Sequence, residues 1–133
     1  MALPPGQHYE IEMISGRCHC GKTTFRIDAE LPDRVTFCDC SICHKRGTLR
    51  AYYSPEQFSV CAEEDRVYRF RAGVVASHFC GVCGCATYCE SPRFLPDGTL
   101  DQGTRIIAVN ARLFDDFAAH EAPVTLVAGK GRG

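Results

Sequence analysis

Seven cysteines in three tight clusters constrain this chain more than any other feature. Cys18 and Cys20 stand in GRCHCG, Cys38, Cys40 and Cys43 in FCDCSIC, and Cys80 and Cys83 in FCGVCG. C-x-C and C-x-x-C spacings bring several sulfurs to one point, which suits a metal ion, whereas structural disulfides usually join distant segments. With 10 cysteines in 133 residues, the choice is between a disulfide framework and metal sites, and the two imply opposite redox compartments. The opening MALPPGQHYEIE has no basic start, apolar run or small-residue cleavage pattern of a secretory leader. No stretch approaches the length of a membrane span. The expectation is therefore a reducing cytoplasm and no membrane, with the clustered cysteines acting as zinc ligands.

The cysteines divide into four plus three. A closed structural zinc takes four protein ligands, while a zinc that does chemistry keeps three and leaves a position for water or substrate. If Cys18 and Cys20 lie in a strand, residues i and i+2 present both sulfurs to one face. Cys80 and Cys83, with Gly81 and Gly84 in CGVCG, form a tight knuckle. Joined, the two pairs make a four-cysteine structural site whose metal-binding energy becomes folding energy. Cys38, Cys40 and Cys43 can meet a second zinc from one local segment, which leaves its fourth position open to a substrate. The alternative is a fourth protein ligand there, with Cys85, Cys61, His44 and His19 as candidates. Two zincs per chain are expected in either case, the three-cysteine one more easily lost.

Among the other residues, His44 follows the middle cluster and His78 precedes the second knuckle, so each is a candidate proton shuttle as well as an ordinary structural histidine. His8 and His120 carry no signal, and Cys61 and Cys89 read as small apolar residues in strands. Short β-branched and aromatic runs separated by Gly, Pro and Asp predict a mainly β chain, with strands over 23–27, 35–37, 49–53, 67–70, 74–79, 86–88, 105–109 and 124–127. Only LFDDFAAH, Leu113 to His120, has helical apolar spacing. Residues 1–8 read as a loose arm, the remainder as one domain, and Ser91 to Thr104 as a long loop able to act as a lid. Net charge is −1 and the sequence pI about 6.5, so no basic field favours nucleic acid.

With the clusters in place, the chain resembles the glutathione-dependent formaldehyde-activating enzyme family, which includes centromere protein V. The matching residues are G-x-C-x-C-G at Gly16 to Gly21, C-x-C-S-I-C at Cys38 to Cys43, F-C-x-x-C-G at Phe79 to Gly84 and N-x-R at Asn110 to Arg112. They run in the family's order from about residue 14 to 127. SICHKRGTL and RFRAG look more like the centromere protein V branch. The resemblance implies an Mss4-like, β-tent fold of packed antiparallel sheets with zinc knuckles. It also implies Cys18, Cys20, Cys80 and Cys83 as structural ligands, and Cys38, Cys40 and Cys43 as catalytic ones.

The implied activity is a carbon-sulfur lyase reaction, the condensation of glutathione with formaldehyde to S-(hydroxymethyl)glutathione. Lys45, Arg46 and Arg112 are then candidates to pair with the carboxylates of a small thiol, and Asn110 and Arg112 to organise the loop beside the zinc. The rival reading is a non-catalytic zinc-binding module for a protein or nucleic-acid partner. The two differ at the fourth coordination position of the middle cluster.

Overall fold

The computed structural model describes residues 13–38, 40–116 and 123–127. The proposed arm at 1–8 and the histidines His8 and His120 lie outside them. The described chain is mainly β. Ten strands run in order: β1 Met13–Arg17, β2 Thr23–Asp28, β3 Val35–Cys38, β4 Arg50–Tyr53, β5 Phe58–Ala62, β6 Asp65–Phe70, β7 Val75–Cys80, β8 Ala86–Phe94, β9 Leu100–Asn110 and β10 Val124–Val127. They form a three-stranded sheet ordered β1-β2-β5 and a seven-stranded sheet ordered β10-β3-β4-β9-β8-β7-β6. All pairs are antiparallel except β10 with β3.

Period-2 alternation explains how the sheets meet. In β2 the side chains of Thr23, Phe25 and Ile27 are buried while their neighbours are exposed. β4 turns Ala51 and Tyr53 inward, and β9 turns Ile107 and Val109 inward. These join Ile14, Val35, Leu49 and Phe114 in one apolar core. Ile27, Val35 and Val109 are completely removed from solvent, each burial being worth about 1.5–3 kcal/mol. At the centre Phe25 meets Phe114 edge-on, and Phe58 packs on Tyr88 with ring centroids 4.8 Å apart.

Two sequence expectations are corrected. The helix predicted over Leu113 to His120 does not form in its described part: Ala111–Leu113 is a 3-10 turn and Phe114 bridges to Gly16. Phe117 to His120 lie outside the described residues. Backbone pairing to β1 captures this segment and overrides its weak apolar periodicity. Among the described residues the α-helix is instead α1, Ser41–Arg46, inside the middle cysteine cluster. The loop predicted from Ser91 to Thr104 is mostly a hairpin, because β8 and β9 pair as far as Phe94 with Leu100. The ladder shifts register between Pro92 and Arg93, and a bulge there accommodates a proline that would otherwise break a strand.

Candidate metal centres and the adjoining cavity

The four-cysteine cluster forms where two turns face each other. Cys18 and Cys20 sit in the turn after β1, not within a strand as expected, and Cys80 ends β7 with Cys83 in the turn that follows. Gly84 takes φ 83°, a left-handed conformation that glycine adopts without penalty, and its N–H closes the turn on the Cys80 carbonyl at 2.9 Å. All four Sγ atoms lie within 4.8 Å of one another. Cys18 and Cys20 are 3.7 Å apart and Cys20 and Cys80 3.6 Å. A tetrahedral thiolate site with metal–sulfur bonds of about 2.3 Å would space its sulfurs by roughly 3.8 Å. The residues therefore fit a shared metal ion.

The backbone is arranged for negative sulfur. Thr23 N–H donates to Cys18 Sγ and Val82 N–H to Cys80 Sγ, each at 3.4 Å. Burial works against the Cys83 thiolate, but the N–H groups of Cys85 and Cys20 outweigh it and bring its pKa down to about 5. Cys18 is lowered as well, where N–H bonds overcome the cost of burial. Cys85 lies against Cys83 rather than joining the middle cluster, and burial pushes its thiol up.

The middle cluster hangs on α1. Cys38 ends β3, Cys40 caps the helix and Cys43 lies within it, where His44 N–H donates to the Cys40 carbonyl at 2.9 Å. Gly47 closes the helix at φ 68°, its N–H donating to the Cys43 carbonyl. The three Sγ atoms again lie within 4.8 Å of one another, and among the described residues no fourth cysteine, histidine or carboxylate joins them. This donor set also fits a metal ion, with three thiolates supplied by one short segment. Burial opposes the Cys40 thiolate, but the Cys43 N–H and neighbouring thiols lower its pKa. Cys43 is pushed up to about 12 by burial, against the opposing charge of Arg50.

A cavity of about 350 Å³ opens on this cluster, with Cys38 and Cys40 in its wall. It lies on the face of the seven-stranded sheet turned away from the core: Arg50 and Tyr52 line it from β4, Ile106 and Ala108 from β9, and their inward neighbours pack the interior. Arg50 Nη2 donates to Cys89 Sγ at 3.7 Å. Burial alone would lower the Arg50 pKa, but Cys89, Cys43 and Tyr52 hold it above the ordinary arginine value. Phe94 and Gly98 bring the β8–β9 hairpin to the cavity wall.

The other candidates fall elsewhere. His78 is on the core face, its Nδ1 2.8 Å from Asp65 Oδ2, its Nε2 2.7 Å from Glu90 Oε2, and its ring stacked on Tyr88. His44 is exposed on α1. Lys45, Arg46 and Arg112 do not line the cavity; Arg46 donates to Ser77 Oγ at 2.6 Å and lies over Phe79. Asn110 accepts from Leu49 N–H and Arg112 N–H and donates to the Ala86 carbonyl, so it ties three segments together. Cys61, read from sequence as a small apolar strand residue, is exposed on β5. Sequence reasoning missed Arg50, Arg71, Arg93 and Cys89 as cavity residues; the alternation of RAYY, with Arg50 and Tyr52 on one face, was the one local signal.

The family model for the glutathione-dependent formaldehyde-activating enzyme matches residues 13–123. The chain belongs to this family. A protein of Halomonas elongata, provisionally named as a glutathione-dependent formaldehyde-activating enzyme, is 29% identical over 92 residues, covering 62% of this chain. The chain spans 59% of that curated relative's length. The crystal structure of a Rhodobacter sphaeroides protein superposes with a TM-score of 0.64 at 24% identity, covering 84% of this chain and 99% of that one, and so shares the fold. Among the described residues of this family member, no helix is long and apolar enough to cross a membrane.

Proposed function

We propose that this family member is a zinc-dependent enzyme acting on a small thiol or thiol adduct in the cavity beside Cys38 and Cys40. Condensation of glutathione with formaldehyde to S-(hydroxymethyl)glutathione, a carbon-sulfur lyase-type reaction, is the specific activity we assign. The observation that carries this reading is an asymmetry: Cys38 and Cys40 line the cavity, and no residue of the four-cysteine cluster does. On this reading Cys18, Cys20, Cys80 and Cys83 hold a structural zinc, while Cys38, Cys40 and Cys43 hold the catalytic one.

Zinc bound by three thiolates supplies Lewis acidity that favours the thiolate of an incoming thiol. In the overall step the substrate sulfur forms a bond to the formaldehyde carbon, the carbonyl π pair moves to oxygen, and the thiol proton ends on that oxygen. Nothing is oxidised and nothing leaves. Val75, Ile106 and Ala108 form apolar wall that limits water around the reactants. Arg50, anchored to Cys89, contributes a fixed positive charge in the same wall. The bonds of Asn110 and Arg112 position the segment that carries Cys43.

The test is turnover of formaldehyde with glutathione by zinc-loaded protein, read by NMR against the uncatalysed condensation. A rate above background that Cys40→Ser abolishes, with unchanged circular dichroism, is expected. A rate equal to background with two zincs bound would sink the assignment.

A further inference from the structure

The cavity beside the middle cluster carries a charge pattern that the net charge of −1 conceals. Among the described residues three arginines line it, Arg50, Arg71 and Arg93, and no aspartate or glutamate does. Among the described residues none of the three is paired with a carboxylate. Their origins are unrelated in sequence: Arg50 comes from β4, Arg71 from the β6–β7 turn and Arg93 from β8 just past its bulge. Arg71 sits in the left-handed region at φ 55°, an uncommon conformation for a residue with a side chain. Its guanidinium lies 4.6 Å from the ring centroid of Phe94, another residue of the cavity wall. The stacking restrains Arg71 while leaving the guanidinium N–H edge available to a ligand.

A guanidinium fork recognises carboxylate by paired, charge-assisted hydrogen bonds, and its strength rises where the surroundings are apolar. Here the remaining wall is largely aromatic and aliphatic, with Tyr52, Phe70, Val75 and Phe94 prominent. A volume of about 350 Å³ lies within the range that encloses a small organic molecule.

We propose that Arg71 and Arg93 form an anion-recognition subsite that selects thiols bearing two carboxylates, with Arg50 supplying further positive charge beside the cysteine cluster. This rests on the cavity being the thiol site, and it assigns substrate recognition to residues other than Lys45, Arg46 and Arg112. The subsite distinguishes a dicarboxylate thiol peptide from a neutral thiol of the same length.

The test is equilibrium binding, by calorimetry on the zinc-loaded protein, of S-methylglutathione and of its diethyl ester. Neither probe has a free thiol, so neither can react, and the result is independent of whether the proposed condensation occurs. Wild type is expected to bind the free dicarboxylate at least about tenfold more tightly than the ester, since a charge-assisted hydrogen bond is worth a factor of roughly ten to a hundred. Arg71→Gln with Arg93→Gln should remove that preference, and the corresponding lysine substitutions should restore part of it, with thermal melts establishing that each variant is folded. Equal affinity for the two probes, no saturable binding of S-methylglutathione, or an undiminished preference in the glutamine variant would each overturn the subsite. Arginine-dependent binding without turnover would refute the condensation and leave the subsite standing.

Discussion

Arg112 Nε donates a hydrogen bond of 2.8 Å to the carbonyl of Gly47, the residue that closes the helix holding Cys43. The backbone of the same arginine donates to Asn110 Oδ1, which also accepts from the N–H of Leu49 just beyond that helix. The end of β9 thus braces the middle cysteine cluster without offering it a ligand.

Asn110→Ala should therefore act on the cluster at a distance. It leaves the buried N–H of Leu49 and the Ala86 carbonyl without their side-chain partners, a loss of about 1–3 kcal/mol. The expected result in urea denaturation is a lower midpoint with an unchanged slope, together with faster loss of metal to a chromogenic chelator. Arg112→Ala, whose bond is exposed, should cost well under half as much.

His78 provides a test of position against sequence proximity. Its neighbour Cys80 belongs to the four-cysteine cluster, yet its ring is sandwiched against Tyr88 and held at both nitrogens by Asp65 and Glu90, on the face opposite the cavity. His78→Gln should lower stability by about 1–2 kcal/mol through lost hydrogen bonds and stacking. The value of kcat/KM for the proposed thiol reaction should stay within about twofold of wild type. A drop in kcat/KM without a change in melting would make His78 a participant after all.

What the sequence displayed and what it concealed follows from range. Cys38, Cys40 and Cys43 are close in the chain, so their meeting point is legible from spacing. The alternation that separates Ala51 and Tyr53 from Arg50 and Tyr52 is equally local. Arg71 and Arg93 converge only because β6, β7 and β8 pair side by side, and nothing in either residue's neighbourhood announces that. The proline and glycine content around Pro92 reads as loop because composition reports local preference, whereas the ladder to β9 and its bulge are non-local. Ser41–Arg46 is too short for an apolar period to register, and its helix depends on the Gly47 cap and Arg112.

Gly16 is fixed by close approach. A Cβ added there would fall 2.6 Å from the Leu113 carbonyl and into the Phe25 ring, where β1 meets the bridge to Phe114. Because Leu113 contributes backbone, relief requires the chain itself to move. Gly16→Ala should destabilise by about 1–3 kcal/mol and lower the thermal midpoint.

The β8–β9 hairpin should respond to acid at its tip. Asp97 accepts from the N–H and hydroxyl of Thr99, which hold its carboxyl below the ordinary value of 3.8. A depressed folded-state pKa contributes stability that is present above the unfolded value and lost as pH falls through the folded one. Carbon-13 titration should place the Asp97 midpoint below 3.8, and Thr99→Ala should move it part of the way back, since the backbone N–H remains.

Cys80→Ser and Cys40→Ser together test the proposed division between the two clusters. Cys80 is fully buried at the end of β7 in the seven-stranded sheet, and its sulfur is 3.6 Å from Cys20, in the turn after β1 of the three-stranded sheet. An ion held there joins segments distant in sequence, so its binding energy becomes folding energy for the whole structure. The middle cluster is local, and an ion held there constrains little beyond β3 and α1. Cys80→Ser should therefore lose one metal equivalent and unfold, or melt at a much lower temperature, while Cys40→Ser retains a melting point near wild type but loses thiol-dependent turnover. If the two variants lose stability equally, the four-plus-three partition into structural and catalytic roles is wrong.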